Sequence, residues 1–164
     1  LMRFIADCLN KEQLFIYDDP IANMIVNVGS PSSQFNWHFD TNEFTITMLL
    51  KSAPSGGHFE YVSNLRNETD ECYDDVRAVL TGDERRVTRL KLTPGDLQLF
   101  LGRFSLHRVS ENTGLSDRLL LIMSFAEKPG MIGSVERTRE LYGKVTSLHL
   151  AAKAQRVRAD TLMD

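Results

Sequence analysis

Apolar residues at Leu1, Phe4, Ile5, Cys8 and Leu9 follow helical spacing and predict a helix at the start of the chain. Leu1 opens that helix already under way, so sequence upstream is expected, with a start at Met2 as the alternative. The segment "LFIYDDP" breaks at Pro20. From there the period shortens to two. "IANMIVNVG" reads as a strand stopped by "GSPSS", and "FNWHFD" and "EFTITMLLK" read as two more, the latter β-branched at Thr45, Ile46 and Thr47. "APSGG" is a turn before the short strand "HFEYV". "DECYDDVRAVLTG" is the clearest internal helix, with Val76, Val79 and Leu80 on one face and Gly82 as its stop. "RRVTRLKL", "LQLFLG" and "FSLHRV" are further strands. "RLLLIMSFA" is a continuous apolar run, the mark of a core strand. Past "EKPG" the pattern turns helical through "SVERTRELYG" and "KVTSLHLAAKAQRVRADTL". Many short strands, one helical insert and a helical tail predict a β-sandwich or barrel with flanking helices.

The 164 residues fit one domain, and 42% hydrophobic content is ordinary for a globular chain. The net charge of −3 argues against a nucleic-acid groove, which leaves a basic footprint. Cys8 and Cys72 lack a metal-type spacing and read as reduced thiols of a cytoplasmic protein. No apolar run approaches the roughly 20 residues that cross a bilayer, and no signal peptide is visible, so no membrane partner is expected. A homodimer is left open.

One short stretch changes this picture. In "NWHFDTNEF", His38 and Asp40 stand two residues apart, and on an extended strand such side chains share a face. Burying an imidazole beside a carboxylate is unfavourable unless something pairs with both. Together they make two thirds of the facial triad that binds non-haem iron(II). The third donor would come from His58, His107 or His149. His149 sits in "LHLAAKAQ", more simply a solvated or packed helix face. His58 follows Gly57 at a strand start and reads as a strand-edge residue. His107, inside "LGRFSLHRVS", is the best candidate; its bland reading is a core histidine satisfied by a carbonyl.

Eleven residues beyond His107, Arg118 opens the apolar strand "RLLLIMSFA". An arginine at the mouth of a buried strand calls for an anion, and its planar fork matches a carboxylate. The competing reading is a surface pair with Asp117 or Glu111. Trp37 alternates out of phase with His38 and is most simply core, with a wall of the substrate channel as the minority reading. Gly56 and Gly57 form a turn that also permits close backbone approach to a ligand. Arg108 is expected to face outward, whereas Arg103 reaches either the pocket side or a structural salt bridge.

The order H-x-D, distal His, then Arg resembles the 2-oxoglutarate/iron(II) oxygenases, which fold as a double-stranded β-helix, or jelly roll. The stretches "NVGSPSSQFNWHFDTNEFTITMLL", "GGHFEYVSNLR", "LTPGDLQLFLGRFSLHRVS" and "RTRELYG" look like the branch that includes free-amino-acid hydroxylases and related amino-acid halogenases. The resemblance runs from Asp19 to Gly143. It implies His38, Asp40 and His107 as catalytic iron ligands and Arg118 as partner of the 2-oxoglutarate distal carboxylate; Asn27 and Thr47, on neighbouring strands, are expected to hydrogen-bond the cosubstrate. It also implies Fe(II), 2-oxoglutarate and O2 as cofactor and cosubstrates. Halogenase members of the branch carry a small residue in place of the aspartate, so Asp40 points to hydroxylation. The family's helical N-terminal region is expected to be only partly represented here.

The sequence therefore predicts a mainly β jelly roll over residues 1–164 that hydroxylates a small amino-acid-like metabolite, with release of succinate and CO2. The rivals are a desaturase, cyclase or halogenase on the same scaffold, and a non-catalytic jelly-roll binding module. A nucleic-acid demethylase is weakened by the acidic balance.

Overall fold

Two antiparallel sheets face each other, and the strand alternation decides what lies between them. The computed structural model describes residues 1–153 and 160–163. In chain order the elements are α1 (Met2–Cys8), β1 (Phe15–Ile16), β2 (Met24–Gly29), β3 (Phe35–His38), β4 (Phe44–Lys51) and β5 (Phe59–Val62). There follow α2 (Tyr73–Leu80), β6 (Thr88–Leu90), β7 (Leu97–Phe100), β8 (Leu106–Val109), β9 (Arg118–Ala126), α3 (Val135–Tyr142) and α4 (Ser147–Ala152). One sheet has the order β1-β9-β4-β7, with β2 also paired to β9; the other runs β3-β8-β5-β6. From β2 onward the chain crosses between the sheets at nearly every connection. That is the double-stranded β-helix expected from the resemblance, mainly β with helices on its flanks.

Two apolar clusters lie on the outer faces of the sheets. On β4 and β9 the residues Phe44, Ile46, Met123 and Phe125 point outward and pack under Ile5 and Ala6 of α1. This accounts for the helical period at the start of the chain. Burying each large side chain of this kind stabilises by roughly 1.5–3 kcal/mol. On the other sheet, Val62, Leu65 and Leu106 pack beneath Val79 of α2, with Trp37 against them. The opposite strand faces, carrying Thr45, Thr47, Leu120, Ile122 and Ser124, line an internal cavity. Period two thus separates a greasy exterior seam from a partly polar interior.

Three features differ from the sequence expectation. β1 pairs with the end of β9, through Phe15 to Ala126 and Ile16 to Phe125, where the sequence shows only a break. The C-terminal helix, expected through Leu162, ends at Ala152. Part of that expectation, residues 154–159, lies outside the described residues. Residues 160–163 are not helical; they fold back, with Arg103 donating to Asp160 and Met163 N donating to Glu71. Thirdly, His149 lies on a packed helix face, one of the two readings, but with polar partners that the sequence did not show. It is fully buried, and its Nδ1 accepts from Thr146 N at 3.1 Å, so the proton sits on Nε2 and is donated to Asp19 at 3.0 Å.

Asp19 ties the C-terminal helices to the sandwich. Its Oδ1 accepts from Ile21 N and Ala22 N, and its Oδ2 from Gly133 N and His149. Asp19→Asn must turn an amide NH2 against two N–H donors whichever way it flips. We expect a loss of about 1–3 kcal/mol, seen as a lower urea midpoint at unchanged slope. An unchanged midpoint would show that this carboxylate does not hold the helices down.

Candidate metal centre

His38 and His107 are cross-strand partners on β3 and β8, so their rings meet inside the sandwich with centroids 4.1 Å apart. Asp40 Oδ1 lies 3.7 Å from His38 Nε2 and 3.5 Å from His107 Nε2. One donor atom from each of the three falls within 4.8 Å of the others. Asp40 arrives here by a route that simple alternation does not describe. β3 ends at His38, its pairing shifts register between Phe35 and His38, and Asp40 N donates to Gly102 O at 3.0 Å. The i, i+2 spacing brings the pair together even though the strand stops between them.

The tautomers follow from the hydrogen bonds. His38 Nδ1 lies 2.8 Å from Asn36 O and His107 Nδ1 lies 2.8 Å from Ser105 O. A carbonyl only accepts, so each Nδ1 carries a proton, which leaves Nε2 of each ring, facing the same point, as the nitrogen that can offer a lone pair. Burial, with the neighbouring His107, lowers the His38 pKa from its ordinary value to about 4, so this ring is neutral at physiological pH. Burial alone would raise the Asp40 pKa, but the charges and hydrogen bonds of His107, His38 and Thr45 outweigh it and hold it at about 2. Two imidazole lone pairs and one ionised carboxylate on a common centre fit a divalent iron.

The carboxylate is held from behind. Thr45 Oγ1 donates to Asp40 Oδ2 at 2.5 Å, while Asn42 Nδ2 donates to Thr45 Oγ1 at 2.9 Å. Gly102 packs so closely that a Cβ there would fall 2.0 Å from Asp40 Oδ2. Gly102→Ala must therefore push the carboxylate out of place. We expect iron affinity to fall by about 10- to 100-fold, the range for lost support of a ligand, with the far-UV spectrum retained. Undiminished iron binding by Gly102→Ala would show that Asp40 is not held as a ligand.

The donors open onto a cavity of about 250 Å³. Asn27 of β2 and Thr47 of β4 both line it, so the structure brings these two sequence candidates to the metal donors. Arg118 is not in that wall. It shares the inward face of β9 with Leu120 but lines an adjoining cavity of about 110 Å³ with Gly57 and His58. Phe59 lines both cavities. Arg118 is 3% exposed, has no side-chain partner among the described residues, and its pKa is lowered by burial. The surface pair with Asp117 or Glu111 is therefore not formed.

Gly56 and Gly57 both have positive φ, and a Cβ on Gly57 would come within 3.0 Å of Arg118 Cδ. The close approach allowed by this turn is thus to the arginine itself. His58 is exposed at the edge of the smaller cavity, away from the metal donors. Arg103 does not reach the pocket: it is fully buried and pairs with Asp160 at 2.6 Å. Arg108 points outward, donating to Glu60 and stacking 4.6 Å over Trp37. Trp37 itself packs on the outer face of its sheet and takes no part in the cavity.

Sequence reasoning missed Thr45, Asn42 and Gly102, whose roles depend on contacts between distant strands. It also read the α3 segment only as part of a helical tail. Arg137, Leu141 and Tyr142 of that helix line the cavity. Their i, i+4 and i, i+5 spacing was visible, but which face the helix turns inward was not.

The family model described as halogenase D matches residues 2–142. Among solved structures, a 2OG-Fe(II) oxygenase family oxidoreductase from Burkholderia pseudomallei is similar at TM-score 0.56 and 16% identity, over 77% of this chain and 50% of that one. AviO1 from Streptomyces viridochromogenes Tue57 is similar at TM-score 0.59 and 18% identity, over 78% of this chain and 57% of its own. The non-heme monooxygenase ThoJ, in a nickel complex, is similar at TM-score 0.53 and 14% identity, over 76% and 49%. The chain thus spans about half the length of these structures, and the likeness is one of fold. No curated protein sequence matches it.

Proposed function

Because the chain belongs to the halogenase D family, we propose that it is an Fe(II)/2-oxoglutarate-dependent dioxygenase that hydroxylates a small amino-acid-like metabolite. The observation that carries this reading is the convergence of His38, Asp40 and His107. In it these three side chains hold the iron, Arg118 pairs with the distal carboxylate of 2-oxoglutarate, and Asn27 and Thr47 hydrogen-bond the cosubstrate. Residues 1–164 act as one oxygenase domain. Bound iron supplies the oxidising chemistry, in which O2 and 2-oxoglutarate give succinate, CO2 and one oxygen atom for a substrate C–H bond.

The protein's own part is positional. Asn36 O and Ser105 O fix both rings with Nε2 facing inward. The Thr45 hydroxyl favours the ionised form of Asp40, and Gly102 leaves the carboxylate the space it occupies. Phe59 and Phe100 pack beside His107, with centroids 5.6 and 4.9 Å away, and limit water on that side. Both cysteines are free, which fits a reducing, cytoplasmic setting, and no described helix is long and apolar enough to cross a membrane.

Halogenation is the second reading, since the family is described by that activity. It needs a coordination position for halide where this chain has Asp40, which its contacts hold inward. Chloride is therefore expected to leave the product unchanged, and a chlorinated product from the unmodified protein would overturn the hydroxylase reading. The reading is tested by a screen of free amino acids with Fe(II) and 2-oxoglutarate, scored by succinate release and product mass. A gain of one oxygen is expected. A non-catalytic binding module would yield neither succinate nor product.

A further inference from the structure

Helix α3 presents one face to the metal cavity. Arg137, Thr138, Leu141 and Tyr142 share it by helical spacing; Thr138 is buried and the other three line the cavity. Among the described lining residues, Arg137 is the one arginine or lysine and Asp40 the one carboxylate. The Arg137 side chain is only 19% exposed. Nη1 donates to Glu140 at 3.0 Å, on the solvent side, where Glu140 is 70% exposed. Nε is buried with no hydrogen-bond partner.

A charged donor buried without an acceptor is destabilising. The helix does not compensate, because Arg137 lies in its first turn, with its backbone N–H capped by Ser134. The helix dipole disfavours a cation there. A residue that goes against both local preferences marks a functional position more often than a structural one. Arg137 lines the same cavity as His38, Asp40 and His107.

We propose that Arg137 determines specificity by pairing with the carboxylate of a small amino-acid-like substrate whose side chain is neutral and apolar. The proposal rests on the oxygenase reading above and names its substrate class. The free Nε edge of the guanidinium matches a carboxylate in two-point geometry. The cavity has no carboxylate besides Asp40 among the described residues, so a cationic side chain on the substrate would find no counter-charge there. Ile25, Phe35, Phe39, Ile122 and Leu141 offer an apolar wall instead. Arg118, in the neighbouring cavity, is left for the second acid, 2-oxoglutarate.

The test uses the anaerobic protein loaded with Fe(II) and 2-oxoglutarate. L-Leucine, L-isoleucine, L-methionine and L-phenylalanine are titrated beside their carboxamides, read by the change in the visible iron–keto-acid band. At least one acid should bind, with its carboxamide weaker by on the order of 30-fold or more, as for a truncated buried charge pair. Arg137→Gln should bring acid and carboxamide to similar affinity. Arg137→Lys should restore part of the preference, since charge returns without the fork. In both variants the 2-oxoglutarate titration without amino acid should be unchanged, which also shows that the site is folded.

Four results would overturn the assignment: equal binding of acid and carboxamide by the unmodified protein, a retained preference in Arg137→Gln, weakened 2-oxoglutarate binding in Arg137→Gln, or binding of none of the four acids when 2-oxoglutarate binds. Failure of the unmodified protein to bind iron or 2-oxoglutarate would overturn the oxygenase reading instead, and this inference with it.

Discussion

Replacing Arg118 with alanine is expected to raise the 2-oxoglutarate requirement strongly while iron affinity changes little. Arg118 is 3% exposed and has no protein partner among the described residues. Its charge is unbalanced in the protein alone, so an incoming carboxylate gains a partner already desolvated and oriented. Truncating one side of such a pair costs on the order of 2–5 kcal/mol. Lysine should restore only part of this, because it keeps the charge and loses the planar fork. Arg118→Met separates binding from folding. Exchanging an unpaired buried cation for an apolar side chain of similar length should leave the melting temperature unchanged or higher, yet 2-oxoglutarate binding should still fail. A normal 2-oxoglutarate curve in Arg118→Ala would move the anchor elsewhere. Arg103, the alternative in the sequence, is committed to Asp160, which would leave Arg137.

The second large effect is expected at His107. His107→Ala should lose stoichiometric iron and retain its fold. The ring contributes one of three donor atoms, and no other described histidine lies close enough to replace it: His58 is exposed beside the smaller cavity and His149 is bonded to Asp19. Losing the ring and its contacts with Phe59 and Phe100 should lower stability by about 1–3 kcal/mol, short of unfolding. His58→Ala serves as the control and should bind iron normally. Full iron occupancy in His107→Ala, measured by metal analysis after desalting, would show that the ligand set is wrong.

The elements that could be seen in advance are those whose period is set by one buried face. β4 and β9 were visible because β-branched and apolar residues crowd them, and α1 and α2 because each lays one stripe on a sheet. β1 was not, because two residues pairing with the end of β9 leave no period to detect. The three metal-donor candidates were legible for a chemical reason: a histidine and an aspartate two apart in a strand need a shared partner, and the chain has only four histidines. The support around them was not legible. Gly102 reads in sequence as a break between strands, and only the fold shows Asp40 filling the space a side chain would take. Thr45 reads as a β-branched strand residue, and only the sandwich turns its hydroxyl to the carboxylate. Arg118 is buried, as its place at the mouth of the β9 run suggested, but its separation from the metal cavity by Phe59 depends on ring placement that no pattern encodes.

His38, Asp40 and His107 are expected to hold an iron that 2-oxoglutarate then chelates. An anaerobic titration of the Fe(II)-loaded protein with 2-oxoglutarate, followed by visible absorption, addresses it most directly. A saturable charge-transfer band at one equivalent of iron is predicted for the unmodified protein, absent from Asp40→Ala and His107→Ala. No band in the unmodified protein at full iron occupancy, or an undiminished band in either variant, would contradict it.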